Sequence, residues 1–158
     1  MQDQKHHKEI IIYTDGACIG NPGKGGWAAI LFYKDLQKEI SGHNPHTTNN
    51  QMELMAVIEA LKIIKTDSNI INIYCDSLYV QDGITKWIFN WKKNNWQTAN
   101  KKAVKNIELW QELDKQVKRQ HINWFWVKGH SGNKYNEMVD KLAYNAAKNS
   151  SSETFHTI

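Results

Sequence analysis

The succession of hydrophobic patterns along the chain constrains its fold more than any other feature. Three apolar runs of strand length come first, at residues 9–13, 27–33 and, more weakly, 36–42. Their close spacing predicts an antiparallel meander. Residues 52–64 then have helical spacing, and a fourth apolar run follows at 70–75. A strand that is reached through a helix predicts a parallel crossover, so the sheet should be mixed.

The second half of the chain adds helices and one more strand. Ser77 can cap a short helix that ends near Gly83. The remaining elements are a short helix at 87–91, an amphipathic helix at 107–119, a strand at 122–127 and a final helix at 135–148. This order predicts an α/β fold in which a five-stranded mixed sheet has helices on both faces, with strands 4 and 5 added through helical crossovers.

The segments between and beyond these elements are predicted to be turns or flexible ends. Residues 16–26 hold five glycines and one proline, which indicates a turn-rich connection, and residues 45–50 form a polar turn. We expect a single domain over residues 9–148. A flexible N-terminus at 1–8 and a flexible, Ser-rich tail at 149–158 should flank it.

The composition excludes several classes of protein. With 158 residues, of which 41% are hydrophobic and 23% charged, the chain fits one folded domain better than a disordered or membrane-spanning protein. The polar start MQDQKHHKE contains no apolar stretch of a secretory signal. Cys18 and Cys75 provide no disulfide framework and suit a reducing compartment. We therefore expect a cytoplasmic protein without a membrane partner.

The net charge of +4 is distributed unevenly. Residues 83–107, called the basic segment below, carry six lysines and no acid, so they contribute +6 and the rest of the chain −2. The same segment holds Trp87, Trp91 and Trp96. Lysines that meet phosphates and tryptophans that pack on sugars or bases are typical of a nucleic-acid surface. A solvated helix whose tryptophans are buried in the core fits the pattern equally well.

Four acids occupy positions where a core favours apolar side chains. Asp15 and Asp76 directly follow apolar strands, and Glu53 and Asp140 have alanines on the same side of their helices. Each acid alone has an ordinary explanation as a turn residue, a helix cap or a partner of a lysine. Desolvating even one carboxylate is costly, however, unless the group is paired or binds a metal. Four such acids are better explained as ligands of a hard divalent cation such as Mg²⁺.

The histidines and cysteines do not indicate another metal. The sequence contains no CxxC or HExxH motif, and His6, His7 and His46 lie in polar termini or loops. His130 differs, because it lies in the loop KGHSGN, ten residues before Asp140. A histidine near metals can shuttle a proton or assist product release. An ordinary surface-loop histidine explains the pattern equally well.

Five stretches of the sequence resemble type 1 ribonuclease H, and bacterial ribonuclease HI in particular. They are YTDGACIGNPGKGGWAAIL, TTNNQMELMAVIEAL, IYCDSLYV, GITKWIFNWKKNNWQTANKKAVKNIELW and WVKGHSGNKYNEMVDKLA, and they follow the family's order and spacing from about residue 8 to residue 148. The resemblance implies a ribonuclease H-like fold. It also implies an endonuclease that cleaves the RNA strand of RNA–DNA hybrids with Mg²⁺ or Mn²⁺, leaving 5′-phosphate and 3′-hydroxyl ends.

The resemblance assigns roles to the acids in a two-metal-ion mechanism. The carboxylates that match the family's metal ligands are Asp15, Glu53, Asp76 and Asp140. Asp15 and Asp76 would bridge the ions near the scissile phosphate. Glu53 would hold the ion on the leaving-group side and help orient the RNA, and Asp140 would hold the ion on the nucleophile side. His130 matches the mobile residue that aids turnover.

Further matches concern the hybrid. The basic segment matches the family's basic protrusion, and its residues expected near the DNA strand are Trp87, Trp91, Lys92, Lys93, Trp96, Lys102 and Lys105. Thr48 and Asn106 match a pocket that grips one DNA phosphate. The residues that match the minor-groove surface, where 2′-hydroxyls identify RNA, are Cys18, Asn21, Asn49 and Asn50. We expect the protein to act as a monomer on the hybrid duplex.

Three positions depart from the family pattern. Leu78 and Asp82 stand where bacterial relatives usually carry glutamine, so hydrogen bonds to the hybrid would be lost there. Ala103 replaces a proline that is common in the basic protrusion, which would change the conformation of that loop. None of these departures touches the four acids or His130.

Other functions share parts of the pattern. A hybrid- or duplex-binding module without activity would not need the four acids, which repel phosphate when no metal is bound. A transposase or junction-resolving core has carboxylates on a similar sheet, but it fits the basic segment and the KGHSGN loop poorly. A ribonuclease H domain released from a reverse transcriptase is a further alternative, although the self-contained length favours a free-standing enzyme.

Overall fold

The computed structural model describes residues 8–128 and 132–150, so His130 and most of the two predicted tails fall outside the described residues. The elements in chain order are β1 (Glu9–Ile19), β2 (Gly23–Tyr33), β3 (Leu36–Thr47), α1 (Asn49–Lys62), β4 (Ile70–Cys75), α2 (Leu78–Asp82), a π-helical turn (Gly83–Trp87), α3 (Ile88–Lys93), α4 (Ile107–Lys118), β5 (His121–Trp126) and α5 (Lys134–Lys148). Within the described ranges, no helix combines the length and the apolar character that crossing a bilayer requires.

The five strands form one mixed sheet in the order β3-β2-β1-β4-β5. β1, β2 and β3 pair antiparallel as a meander, whereas β4 runs parallel to β1 and β5 parallel to β4. Parallel neighbours need a crossover connection. Helix α1 supplies it before β4, and helices α2 to α4 supply it before β5. The predicted α/β fold with a five-stranded mixed sheet is confirmed.

Helices cover both faces of the sheet, because successive residues of a strand point to opposite sides. On one face, Ile12 and Ile73 join a core with Leu54 of α1 and Trp110 of α4. On the other face, Tyr13 belongs to a second core that includes residues of α5. The prediction of helices on both faces is therefore also confirmed.

The glycine-rich stretch at 16–26 is mainly strand, so its interpretation as a turn-rich connection is wrong. β1 and β2 both extend into it and leave only residues 20–22 to turn the chain. Its glycines serve close packing instead. A Cβ at Gly25 would overlap the side chains of Thr47 and Met52, and a Cβ at Gly26 would overlap the backbone of α5.

Two other predicted boundaries shift. β3 continues through part of the predicted turn at 45–50 as far as Thr47. Pro45 is tolerated there because β3 lies at the edge of the sheet, where one side of the strand needs no hydrogen bonds. The two short helices predicted around the start of the basic segment form one helical run from Leu78 to Lys93, and the π-helical turn joins them.

Candidate active site

The parallel pairing of β1 with β4 brings two of the predicted carboxylates together. β1 and β4 run parallel, and the last residues that they pair are Tyr13 and Tyr74. Asp15 and Asp76 each lie two residues further along the chain. Asp76 directly follows β4 as predicted, whereas Asp15 lies inside β1, which continues to Ile19 because it still pairs with β2 there. The register of one parallel strand pair thus joins two acids that are far apart in the sequence.

Glu53 reaches the same place from the beginning of α1. Thr48 caps this helix by accepting a hydrogen bond from the backbone N–H of Gln51 at 3.2 Å. The helix lies so close to β1 that a Cβ at Gly16 would be 2.5 Å from the backbone nitrogen of Glu53. Because no side chain fits at this contact, glycine must follow Asp15 if the two acids are to approach each other.

The carboxylates converge in one cluster, in which Asp15 and Glu53 are buried and Asp76 is half-buried. One oxygen from each of Asp15, Glu53 and Asp76 lies within 4.8 Å of the others. Asp15 and Glu53 are each only 6% exposed. Asp140 of α5 adds a fourth acid, because its side chain is hydrogen-bonded to that of Asp15. The structure therefore brings together all four acids singled out in the sequence, called the carboxylate cluster below.

Burial, together with crowding of like charges, raises the pKa values of two acids in this cluster. Burial raises the pKa of Asp15 to about 9, with further contributions from the charge of Asp76 and from the hydrogen bond to and charge of Asp140. The backbone N–H of Gly16 donates to Oδ1 of Asp15 at 2.9 Å and lowers this pKa in part. Burial also raises the pKa of Glu53 well above its usual range, and the charges of Asp15 and Asp76 add to the effect.

The carboxylate cluster fits a divalent cation with oxygen ligands. Oε1 of Glu53 is buried and has no hydrogen-bond partner among the described residues, which is costly for a polar atom unless a ligand satisfies it. Mg²⁺ and Mn²⁺ take carboxylate and water oxygens as ligands. Cys75 is a poor candidate ligand, because burial and the charge of Glu53 raise the pKa of its thiol and keep it neutral. The donor set is thus one of hard oxygens.

Comparison with known proteins decides the family. The family model described as RNase H matches residues 7–148. The chain belongs to the ribonuclease H family. The ribonuclease H of Wolbachia pipientis wMel is 60% identical over 139 residues, which cover 88% of this chain and 95% of that protein.

Solved structures agree with this membership. LC9-RNase H1, a type 1 RNase H with the type 2 active-site motif, has a TM-score of 0.83 at 30% identity, and the match covers 92% of this chain and 74% of that one. A foamy viral protease-reverse transcriptase in complex with RNA/DNA hybrid shares the fold, with a TM-score of 0.74 at 22% identity over 89% of this chain and 20% of that one. The implied fold and the expectation of an enzyme of this family are therefore confirmed.

The loop KGHSGN is described only at its two ends. His130 belongs to residues 129–131, which lie outside the described ranges. The described chain resumes just before α5, where the side chain of Asn133 caps the helix by accepting hydrogen bonds from the backbone N–H groups of Tyr135 and Asn136 at 3.0 and 3.1 Å. The part that His130 plays in turnover stays a prediction.

The residues predicted to follow the RNA minor groove lie around the start of α1 in this ribonuclease H. The side chain of Asn21 accepts a hydrogen bond from the backbone N–H of Asn49 at 2.9 Å. The thiol of Cys18 lies 3.3 Å from the backbone oxygen of Thr47. Asn50 is exposed in the first turn of the helix. These contacts hold the β1–β2 turn against the helix that carries Glu53.

Side-chain hydrogen bonds hold Asn106, one of the two residues predicted to form the phosphate pocket, in place. Nε2 of Gln51 donates to Oδ1 of Asn106 at 3.1 Å, and Nδ2 of Asn106 donates to the hydroxyl of Tyr79 at 3.1 Å. Asn106 has a φ of 60°, a left-handed conformation that asparagine adopts more readily than most residues. The sequence reasoning missed Gln51 and Tyr79. For Gln51 a signal was available, since it follows the capping residue Thr48 by three positions.

The tryptophans of the basic segment differ in how deeply they are buried. Trp91 contacts Trp87, Trp96 and Trp110, with ring centres 5.8, 6.0 and 5.2 Å away. Trp110 is fully buried, whereas Trp87 is 37% exposed. The tryptophans thus form a continuous series from the core to the surface. The lysines predicted to lie near the DNA strand are all exposed, namely Lys92, Lys93, Lys102 and Lys105.

The structure also places the three departures from the family pattern. Leu78 is exposed, so its side chain supports no core. Asp82 forms a surface ion pair with Lys86 at 3.4 Å, which offsets the negative charge it brings. Ala103 forms an isolated antiparallel bridge with Gln97. This bridge closes the loop of the basic segment without a proline.

Proposed function

We propose that this ribonuclease H hydrolyses the RNA strand of RNA–DNA hybrids endonucleolytically. The observation that carries the proposal is the carboxylate cluster, because buried acids with raised pKa values and an unsatisfied Oε1 on Glu53 suit a site that is completed by cations. Family membership supports the reaction. The hybrid held by the foamy viral relative supports the substrate.

We propose two Mg²⁺ ions as the cofactor, with Mn²⁺ able to substitute. The ligands would be Asp15, Glu53, Asp76 and Asp140. Bound ions of this type activate a water molecule and stabilise the leaving oxygen of a phosphodiester. A water molecule would form a bond from its oxygen to phosphorus and give up a proton, while the bond from phosphorus to the 3′ oxygen breaks and that oxygen takes up a proton. The products therefore carry 5′-phosphate and 3′-hydroxyl ends.

Selectivity for RNA in the cleaved strand would come from the surface around the start of α1. The backbone and side chains of Cys18, Asn21, Asn49 and Asn50 would meet the minor groove, where the 2′-hydroxyl distinguishes RNA from DNA. The hydrogen bond between Asn21 and Asn49 supports this arrangement, since it orders both residues before the substrate arrives. Duplex DNA, which has no 2′-hydroxyl, would gain none of these contacts.

The DNA strand would be held by the basic segment and the phosphate pocket. Thr48 and Asn106 would bind one DNA phosphate, and Gln51 would keep the amide of Asn106 in place. The exposed part of Trp87 would pack on the sugar–phosphate backbone, with Trp91 and Trp96 behind it. The exposed lysines Lys93, Lys102 and Lys105 would lie near phosphates as point charges.

Three further proposals complete this function. Residues 9–148 would form the catalytic domain, and His130 would assist turnover by moving a proton or releasing product. Cys18 and Cys75 are free thiols, which supports a reducing compartment, and we place the enzyme in the cytoplasm. We propose that it acts as a monomer.

Cleavage of an end-labelled RNA–DNA hybrid tests the proposal. The assay runs with Mg²⁺ and with EDTA, beside duplex DNA, duplex RNA and a DNA duplex that contains a single ribonucleotide. Cutting of the hybrid alone, dependent on the metal and absent in the Asp15→Asn variant, is the expected result. Metal-independent cutting, or equal cutting of duplex RNA, would contradict the assignment. Treatment of the products with phosphatase and polymerase identifies their ends.

A further inference from the structure

Two consecutive lysines of the basic segment have different surroundings. Nζ of Lys92 lies 2.8 Å from Oδ1 of Asp114 on α4. Both lysines are exposed, but Lys93 forms no ion pair within the described parts of the chain. The positive charge of Lys92 is therefore directed toward the protein, whereas that of Lys93 is available to a ligand.

The side chain of Asp114 forms ion pairs with two lysines. Its side chain is only 14% exposed, and its second oxygen, Oδ2, lies 3.2 Å from Nζ of Lys118, one turn further along α4. A carboxylate that has lost most of its water needs opposite charges to offset the cost of desolvation. Lys92 supplies the shorter contact and comes from a different helix.

The ion pair joins α3 to α4 next to an apolar contact. Trp91, the neighbour of Lys92, packs edge-on against Trp110 of α4 with ring centres 5.2 Å apart. Trp110 and Asp114 are four residues apart on α4, so they lie on the same side of that helix. Helix α3 is thus attached to α4 at two adjacent points, one apolar and one ionic. The attached helix is directly preceded by the exposed Trp87 and ends at the exposed Lys93.

We propose that Lys92 and Asp114 are positioning residues for binding of the DNA strand. Their ion pair fixes α3 so that Trp87 and Lys93 can meet the DNA. In this proposal Lys92 contacts no phosphate itself, which replaces the expectation from the family resemblance that it lies near the DNA strand. The inference rests on the proposed function for its substrate. For a substitution of Asp114, electrostatics alone and loss of positioning predict opposite effects on binding. Removing a negative charge beside a surface that binds a polyanion should tighten binding by simple electrostatics, whereas loss of positioning weakens it.

Binding of hybrid across a series of salt concentrations tests the proposal, with every variant made in the Asp15→Asn background so that the hybrid is not cut. Lys93→Gln should reduce the slope of log affinity against log salt by about 0.7 to 0.9, the value for one phosphate contact. Lys92→Gln should keep the parent slope but bind about threefold more weakly, as should Asp114→Asn. Lys92→Arg should restore affinity, because a guanidinium can also pair with Asp114.

The outcomes separate the two roles. A loss of slope in Lys92→Gln equal to that in Lys93→Gln, or tighter binding by Asp114→Asn, would overturn the proposal. Lys118→Gln is the matched control, since Lys118 pairs with the other oxygen of the same carboxylate but does not connect the helices. Weakening of binding by this control to the same extent as by Lys92→Gln would also overturn it.

Thermal unfolding keeps the test separate from the proposed function. In a double-mutant cycle, Lys92→Gln and Asp114→Asn should each lower the Tm, and the double variant should lose less than the sum of the two. Additive losses would mean that the ion pair does not form. If the parent protein binds no hybrid at all, the proposed function fails, while the cycle still reports on the ion pair.

Discussion

The Asp15→Asn variant should lose hybrid cleavage and yet be more stable than the unaltered protein when no metal is present. The amide of asparagine resembles a protonated carboxyl group in shape. It can still accept a hydrogen bond from the backbone N–H of Gly16 and donate one to Asp140. It carries no charge that Glu53 and Asp76 would oppose, and it is a weak ligand for a divalent cation.

The size of the stabilisation follows from the pKa of Asp15. This pKa is about 9 in the folded chain, against an ordinary value of 3.8. Because folding raises this pKa, the Asp15 carboxyl group contributes its full stability below about pH 3.8, where it is protonated in both the folded and the unfolded chain. That contribution to the free energy of unfolding is lost as the pH rises from about 3.8 to about 9. At 1.4 kcal/mol per pH unit, the loss by pH 7 is on the order of 4 kcal/mol. Asparagine does not titrate, so the variant should gain an amount of this order at pH 7 and little at pH 4.

Urea unfolding in EDTA between pH 4 and pH 9 measures this effect. The free energy of unfolding of the unaltered protein should fall with pH more steeply than that of Asp15→Asn. Asp35→Asn, a change at an exposed acid in the β2–β3 turn, is the control and should follow the unaltered protein. Added Mg²⁺ should stabilise the unaltered protein more than Asp15→Asn, because ligand binding to the folded state alone raises its stability. Equal stability of the two proteins at pH 7, or parallel pH profiles, would refute the reasoning.

Three other changes test separate parts of the structure. Gly16→Ala should reduce single-turnover cleavage by about 100-fold, while hybrid binding persists. The reason is that a Cβ that starts 2.5 Å from the backbone of Glu53 must move by about 0.9 Å to reach ordinary contact. Unchanged cleavage would show that α1 and β1 can separate without cost. Arg119→Lys should lower the free energy of unfolding in urea by about 1 to 2 kcal/mol. The guanidinium of Arg119 donates to the carbonyl oxygens of Ile64 and Leu61, around the end of α1, at 2.6 and 3.4 Å. Full stability would mean that a lysine can replace those bonds. His130→Ala should slow multiple turnover less than Asp15→Asn does, and equal losses in the two variants would argue against an auxiliary role.

Much of the fold and of the candidate site could be predicted because it depends on local patterns. Apolar alternation and helical spacing reflect which face of each element is buried, so the order of strands and helices is visible without the structure. Asp15 and Asp76 stood out because acids directly follow buried strands. The crossover rule predicted that β4 joins the sheet as a parallel strand, and its parallel register with β1 confirms this. Asp15 lies inside β1 and not after it, because β1 continues beyond the acid along β2.

The glycine-rich stretch shows where such patterns fail. A glycine can be required for a turn or for a close contact, and the sequence looks the same in both cases. Gly16 and Gly26 belong to the second kind, since a side chain there would overlap the backbones of α1 and α5. Those helices lie elsewhere in the sequence, so only the packed structure reveals that the glycines allow the helices to approach the sheet.

The sequence by itself determined the order of the elements, the four acids and the concentration of positive charge, because these depend on residue type and spacing. Tertiary structure decided which of the charged groups already have a partner within the protein. Lys92 and Lys93 are adjacent and chemically identical, but only Lys92 has Asp114 within 2.8 Å. Asn106 is likewise held by Gln51 from a distant helix. A side chain's charge or hydrogen-bonding capacity is available to a ligand only where folding has not already supplied a partner.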